Sequence, residues 1–181
     1  VPQNASSTKL KNMKNYGARI NIHGQDCVEA EKKARDESKK INRPYISPYN
    51  DIHVIAGQGT IGVEVESQCD NLDTIIISVG GGGLIGGIGA YLKSVLPQIN
   101  IIGCSPENSA VMIHSIKAGK ILDMESKPTI SDGTAGGVEE NSITFPICKD
   151  VIDKLVTVNE SEIQQAMVNY IKYEHSLIEG A

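Results

Sequence analysis

The sequence has no apolar run that approaches the roughly 20 residues required to span a bilayer. Its N-terminus also lacks the pattern of a charged stretch followed by an apolar stretch that marks a secretory signal. Both absences disfavour a membrane or exported protein. We therefore expect a cytoplasmic protein that has no membrane partner.

Cysteine is sparse and scattered along the chain. The four cysteines, Cys27, Cys69, Cys104 and Cys148, include no C-x-x-C pair. This spacing argues against a structural zinc site and against a disulfide scaffold, and it predicts reduced thiols. The four histidines also form no pair at ligand spacing. We expect no metal site.

Basic residues are too few and too dispersed to form a nucleic-acid surface. The net charge is −5, and the densest basic run, Lys9 to Lys14, contains no aromatic residue. Such a run is typical of a solvated helix face, so we expect no nucleic-acid partner. With 40% hydrophobic residues in 181, the chain can form one sizeable core, or a core and a small lobe.

A proline-rich segment, Ile41 to Asp51, is the strongest candidate for a domain boundary. It predicts two domains, residues 1–50 and 51–181. In the first, the alternation over Gly17–Ile22 predicts a strand, and Gln25–Lys40 predicts a charged helix.

The second part predicts an α/β fold. Leu72–Val79 reads as a strand that is buried on both faces of a parallel sheet, and Ile99–Cys104 reads as its neighbour across a helix at Leu84–Leu96. The segment 56–68 fits both a strand and a helix by periodicity. Further predictions are a helix at Ser109–Ala118 with Gly119 as its cap, a helix near Phe145–Asp153, a strand "KLVTV", and a last helix that Asn159 and Glu162 cap, with a buried stripe of Ile163, Ala166, Met167, Tyr170 and Ile171.

The stretch Ser78–Gly87, "SVGGGGLIGG", carries the chemistry. A strand that ends in a glycine-rich turn and opens a helix can hold a phosphate with backbone N–H groups, and a β-carbon would keep the anion away. Close helix packing is the alternative explanation for the glycines. No Lys-Ser or Lys-Thr follows them, so the segment is not a P-loop. Gly81, Gly83 and Gly86 match G-x-G-x-x-G, but Ser105 stands where a dinucleotide site needs a carboxylate.

Four linked motifs resemble the threonine/serine dehydratase family, pyridoxal-phosphate enzymes of the tryptophan-synthase β type to which serine racemase is related. The motifs are "VIAGQGTIGVEV", "SVGGGGLIGGI", "SDGTAGGVE" and "LIEGA", in this order. The resemblance implies a three-layer sandwich around a parallel sheet, of fold type II and incomplete at both ends. It implies that segment 56–68 is helical, that residues 1–50 belong to a smaller substrate-closing lobe, and that residues 51–181 belong to the larger cofactor-binding domain.

The resemblance also implies a set of residues that bind pyridoxal 5′-phosphate. By position they are Gly80, Gly81, Gly82, Gly83 and Leu84 at the phosphate, and Gly133 and Glu179 at the ring. Some relatives bind a divalent cation after the second strand, but the matching residues here are Ser105 and Val111, which cannot supply the carboxylates.

The family's lysine motif, of the "SFK.RGA" type, and its "SSGNH" type loop have no counterpart in this sequence. We therefore expect an inactive fragment that has no catalytic residue of its own. The intact enzyme would convert a small hydroxy amino acid, L-threonine or L-serine, to a 2-oxo acid and ammonia by β-elimination, and would form a homo-oligomer, a dimer or a tetramer. The alternative is a non-catalytic module that binds phosphate or a dinucleotide.

Overall fold

The structure, a computed structural model, describes all 181 residues and divides them into two compact units, Val1–Ser47 and Pro48–Ala181. The first unit contains two helices, α1 (Ser7–Asn15) and α2 (Cys27–Lys40). The Asp26 side chain caps α2 by accepting a hydrogen bond from the Val28 N–H at 2.9 Å. The charged helix predicted from the sequence is therefore present.

The strand predicted at Gly17–Ile22 is wrong. The structure has no strand in the first unit. The backbone around this segment instead bonds irregularly to the first residues of the chain, from His23 N to Val1 O at 2.9 Å and from Val1 N to Asn21 O at 2.8 Å. Alternation alone does not make a strand, because a strand also needs a neighbour that satisfies its backbone groups in register.

The second unit has a parallel sheet and five α-helices. Three strands lie in the order β1-β2-β3, and Ile77 pairs with Gly103, which pairs with Leu155. The elements in chain order are α3 (Ile52–Gln68), β1 (Thr74–Ser78), α4 (Gly83–Val95), β2 (Asn100–Pro106), α5 (Val111–Ala118), α6 (Thr144–Val151), β3 (Lys154–Val158) and α7 (Glu160–Glu174). The segment that fits both periodicities is thus a helix, α3.

The core lies between α4 and one face of the sheet. Ile85 and Leu92 of α4 and Ile101 of β2 are fully buried there. Glycine brings α3 and α4 close together, since a β-carbon on Gly87 would lie 2.7 Å from the Gly59 nitrogen. This packing holds the start of α4 next to the end of β1, where the glycine-rich turn lies.

The other face of the sheet is less covered than the sequence predicts. Ile76 of β1 is 68% exposed while its neighbour Ile77 is 5% exposed, so β1 is buried on one face and not on both. The predicted stripe of α7 is wrong in the same way. Only Ile163 is buried, while Tyr170 and Ile171 are exposed. The side chains of β1 and of the α7 stripe are apolar, but within this chain only some of them are buried.

None of the helices combines the length and the apolar character that crossing a bilayer requires.

Candidate functional site

The turn between β1 and α4 is built from Gly80, Gly81, Gly82 and Gly83. Gly82 is the residue that precedes α4, and its φ of 88° and ψ of 0° place it in the left-handed region. A residue with a side chain adopts this conformation at a cost, which glycine avoids. Because Gly82 has no side chain, nothing caps the first turn of α4.

Six consecutive backbone N–H groups at this turn are open. Those of Gly80–Ile85 donate no hydrogen bond to any other part of the chain. The flanking N–H groups are paired, that of Val79 with Cys104 O at 2.8 Å and that of Gly86 with Gly82 O at 2.9 Å. Gly82, Gly83 and Ile85 are buried and the other three residues half-buried. Partly buried N–H groups without partners at the positive end of a helix are suited to binding an anion.

The structure corrects the reason for the glycines. A β-carbon on Gly81 would lie 2.5 Å from Tyr49 Cδ1, and one on Gly82 would lie 2.6 Å from Cys148 Sγ. A β-carbon on Gly80 would lie 2.8 Å from Thr134 O. The space that side chains would need is therefore occupied by the protein itself. Close packing explains why these residues are glycine, and the open N–H groups are what indicates an anion site.

The carbonyl groups of the same turn are bound by buried side chains. Ser105 Oγ donates to Val79 O at 2.6 Å, Thr144 Oγ1 donates to Gly81 O at 2.6 Å, and Cys148 Sγ donates to Gly82 O at 3.5 Å. Ser105 therefore points to β1 rather than to a ribose. Thr144, Cys148 and Tyr49 were not identified by the sequence analysis, because nothing local marks residues that lie dozens of positions away from the turn.

The other predicted cofactor residues are brought near the turn by a short chain of contacts. Gly80 adjoins Thr134, which follows Gly133 in a turn of 3₁₀ helix, Asp132–Thr134. A β-carbon on Gly133 would in turn lie 3.2 Å from Glu179 Oε1. The tetraglycine turn, the segment around Gly133 and the C-terminal segment thus adjoin one another.

A shallow groove of about 220 Å³ borders this region on the less covered face of the sheet. Its lining includes Ser78, Cys104, Ser131 and Gly180, but none of the four glycines of the turn. The open N–H groups therefore do not lie at the bottom of this groove.

Two thiols near the site are poor nucleophiles. Burial raises the pKa of Cys148 to about 12. Burial, and then the charge of Glu162, raise the pKa of Cys104. Because the thiolate is the reactive form, both stay protonated and unreactive at neutral pH.

The two residues that the motif resemblance aligns with a cation site, Ser105 and Val111, carry no carboxylate. Ser105 is 1% exposed and is bonded to Val79 O, and Val111 is 2% exposed. Neither presents a ligand oxygen to a cation.

All 181 residues match a protein family described as pyridoxal-phosphate dependent enzyme. The chain belongs to this family. Its relatives include the L-threonine ammonia-lyase of Thermotoga maritima, which is 36% identical over the whole chain and 45% of the relative. The catabolic L-threonine dehydratase TdcB of Escherichia coli is 34% identical over the whole chain and 55% of the relative. The chain thus spans about half the length of the curated relatives it matches.

Solved structures of similar sequence have the same fold. Maize serine racemase superimposes with a TM-score of 0.87 at 30% identity, over 99% of this chain and 54% of the racemase. Threonine deaminase isoform 2 from Solanum lycopersicum superimposes with a TM-score of 0.85 at 32% identity, over 99% of this chain and 52% of the deaminase. The predicted fold class, α/β with a parallel sheet as in fold type II enzymes, is confirmed.

The residues of the turn fit the phosphate of pyridoxal 5′-phosphate. A phosphate dianion needs several hydrogen-bond donors, and the N–H groups of Gly80–Ile85 supply them at the positive end of α4. A dinucleotide fits this turn less well, because Ser105 stands where a carboxylate would be needed to bind the ribose.

Proposed function

We propose that this chain supplies the phosphate-binding part of an ammonia-lyase that acts on a small hydroxy amino acid, L-threonine or L-serine, and forms a 2-oxo acid and ammonia. One observation carries the proposal. The turn Gly80–Gly83 leaves its N–H groups open in a chain that belongs to the pyridoxal-phosphate dependent family. The names of the relatives, threonine ammonia-lyase and threonine dehydratase, support the choice of reaction.

In this proposal the chain's own residues bind and orient. The N–H groups of Gly80–Gly83 and Leu84 bind the phosphate, while Gly133 and Glu179 line the ring. When bound, pyridoxal phosphate supplies an electron sink that stabilises the negative charge left by removal of the α-proton. No residue of this chain is assigned to proton transfer, so we expect the 181-residue chain alone to lack lyase activity.

The domain roles belong to the same proposal. We assign residues 1–50 to a lobe that closes over the substrate and residues 51–181 to the cofactor-binding domain. The proposal also includes a cytoplasmic location and assembly into a homo-oligomer, a dimer or a tetramer. Sedimentation velocity of the complete protein would test the assembly, and a monomer at micromolar concentration would contradict it.

The phosphate site can be tested on the 181-residue chain itself. Pyridoxine 5′-phosphate and pyridoxine differ only in the phosphate, and neither has an aldehyde that would react with surface lysines. In the ¹⁵N-labelled chain we expect pyridoxine 5′-phosphate and inorganic phosphate to shift the amide signals of Gly80–Ile85, and pyridoxine to leave them unchanged. If pyridoxine 5′-phosphate and inorganic phosphate leave these signals unchanged and NAD shifts them, the result would favour the dinucleotide alternative instead.

The reaction is tested with the product of the complete reading frame that encodes these residues. We expect a visible absorption band that changes when L-threonine or L-serine is added, together with formation of a 2-oxo acid. A colourless protein that forms no 2-oxo acid in the presence of added pyridoxal phosphate would contradict the lyase proposal and favour a non-catalytic binding module.

A further inference from the structure

We infer that Ser105, Thr144 and Cys148 are positioning residues that set the direction of the N–H groups of the phosphate turn by binding the carbonyl groups behind them. The inference rests on the proposed phosphate site. The three side chains come from different elements, β2 for Ser105 and α6 for the other two, and each is at most 1% exposed. None of them is assigned to the cofactor by the resemblance to the dehydratase family.

The geometry of the peptide bond links the two sides of the turn. The chain has no cis peptide bond, and in a trans peptide the C=O of one residue and the N–H of the next point in opposite directions. A donor that holds a carbonyl on one side therefore directs the following N–H to the other side. Three of the six open N–H groups follow a carbonyl that is held in this way.

Ser105 controls the first of them. Its Oγ donates to Val79 O at 2.6 Å, which directs the Gly80 N–H away from β2. The Val79 N–H is itself bound to Cys104 O. Both polar groups of Val79 are thus fixed by β2, so the turn begins from a rigid residue.

Thr144 controls the second through a short relay. A hydroxyl group has a single proton to donate. Because Thr144 Oγ1 gives its proton to Gly81 O, the 2.6 Å contact between Ser142 Oγ and Thr144 Oγ1 requires Ser142 to be the donor there. The relay from Ser142 to Thr144 to Gly81 O lies in the buried interior, and it directs the Gly82 N–H away from α6.

Cys148 controls the third. Its Sγ lies 3.5 Å from Gly82 O, a carbonyl that also accepts the Gly86 N–H at 2.9 Å. The raised pKa of Cys148 keeps the thiol protonated at neutral pH, so it remains a donor. The Gly83 N–H points away from it. Glycine has unusual rotational freedom, and three fixed carbonyls restrict a turn that would otherwise present carbonyl oxygens as readily as N–H groups to an anion.

The test compares variants that remove a donor with variants that keep one. Thr144→Val removes the hydroxyl at nearly constant volume, and Thr144→Ser retains it. Ser105→Ala is matched by Ser115→Ala, which removes a buried hydroxyl from α5, where it accepts the Leu122 N–H. For each variant of the 181-residue chain, the affinity for pyridoxine 5′-phosphate and the amide signals of Gly80–Ile85 are measured, together with the midpoint of urea unfolding.

We expect Thr144→Val and Ser105→Ala each to weaken binding of pyridoxine 5′-phosphate by about tenfold, as expected when a donor to a charged group loses its orientation. Thr144→Ser and Ser115→Ala should bind within about twofold of the wild type, because in both the carbonyls of the turn keep their donors. The response of the Gly82 amide to the ligand should change most in Thr144→Val, and that of Gly80 in Ser105→Ala. If the side chains had a purely structural role, each substitution would lower the unfolding midpoint, but the altered amide response would not be greatest at the residue that follows the affected carbonyl.

Failure of the inference is distinct from failure of the phosphate site. If the turn of the wild-type chain does not respond to pyridoxine 5′-phosphate, both the phosphate site and the inference are contradicted. A responsive wild type, combined with folded Thr144→Val and Ser105→Ala variants of unchanged affinity, overturns the inference alone. Should Thr144→Val fail to fold, Ser105→Ala and the pair Cys148→Ala and Cys148→Ser supply the same comparison.

Discussion

Two helices of the second unit begin in opposite ways. At the start of α7, Asn159 Oδ1 accepts the Glu162 N–H at 3.0 Å and Glu162 Oε2 accepts the Asn159 N–H at 2.8 Å, so the side chains satisfy the backbone. At the start of α4, Gly82 offers no side chain and the N–H groups stay open. Asp26 and Asp51 cap α2 and α3 in the same way as α7, whereas α1, α5 and α6, like α4, begin without a side-chain cap. The chain itself completes α7, and in the proposed site a ligand phosphate would complete α4.

The largest expected effect comes from adding a methyl group to the open helix end. Gly82→Ala places a β-carbon 2.6 Å from Cys148 Sγ and 2.9 Å from Met112 Cε, in a left-handed residue. We expect a loss of about 1 to 3 kcal/mol from overpacking, in addition to about 1 to 2 kcal/mol from the backbone conformation. Binding of pyridoxine 5′-phosphate should be lost as well. Urea unfolding and ligand titration measure the two effects.

Gly119→Ala is the matched control for this substitution. Gly119 ends α5 with a φ of 72°, close to that of Gly82, but a β-carbon there would have no atom within 4 Å. It should cost only the backbone contribution, about 1 to 2 kcal/mol, and leave ligand affinity unchanged. Equal costs for the two substitutions would show that the packing around Gly82 is softer than the distances indicate.

A moderate effect is expected at the capped helix. Asn159→Ala removes the side-chain acceptor of the Glu162 N–H, and it should lower the free energy of unfolding by about 1 kcal/mol. Asn159→Asp keeps an acceptor and should lose much less. Both variants should bind pyridoxine 5′-phosphate as the wild type does. A change in affinity in either would show that the two helix starts are coupled and do not behave independently.

The smallest effect concerns the other end of α4. Lys93 Nζ donates to Ile99 O at 2.8 Å and to Asp153 Oδ2 at 2.7 Å, and Asp153 Oδ2 accepts the Ile101 N–H at 2.7 Å. The Ile101 hydrogen bond, and then Lys93, lower the pKa of Asp153. A lowered pKa in the folded state stabilises the protein above the unfolded pKa of about 3.9, and this stability is lost as the pH falls through the folded value.

Asp153→Asn checks this pH dependence. The variant should be less stable than the wild type at about pH 6, and the difference should shrink as the pH falls below about 4, because the carboxylate is then protonated first in the unfolded chain and, at lower pH, in the folded protein. Asp153 is partly exposed, so solvent screens the interaction and the difference should be small. Urea midpoints of both proteins across this pH range provide the measurement. A constant difference at every pH would assign the effect to shape rather than charge.

Local signals in the sequence were enough to predict most of the elements. The capping pair Asn159 and Glu162, the terminal Gly119 of α5 and the apolar run of β1 all act within a few residues, and the structure confirms each. The glycine-rich turn was identified in the same way, because its residues are consecutive. Its predicted role at the cofactor phosphate remains to be tested by the titrations above.

Only the tertiary structure decided which faces are covered and what supports the turn. Ile76 is as apolar as Ile77, yet only Ile77 is buried, and the apolar side chains of α7 beyond Ile163 mostly remain exposed. Thr144 lies 63 positions from Gly81, and Ser105 lies 26 positions from Val79. The sequence by itself determined where the three strands of the second unit run and where glycine permits a tight turn, because those depend on neighbours along the chain. Burial and the direction of a backbone N–H depend on partners that only the folded chain brings together.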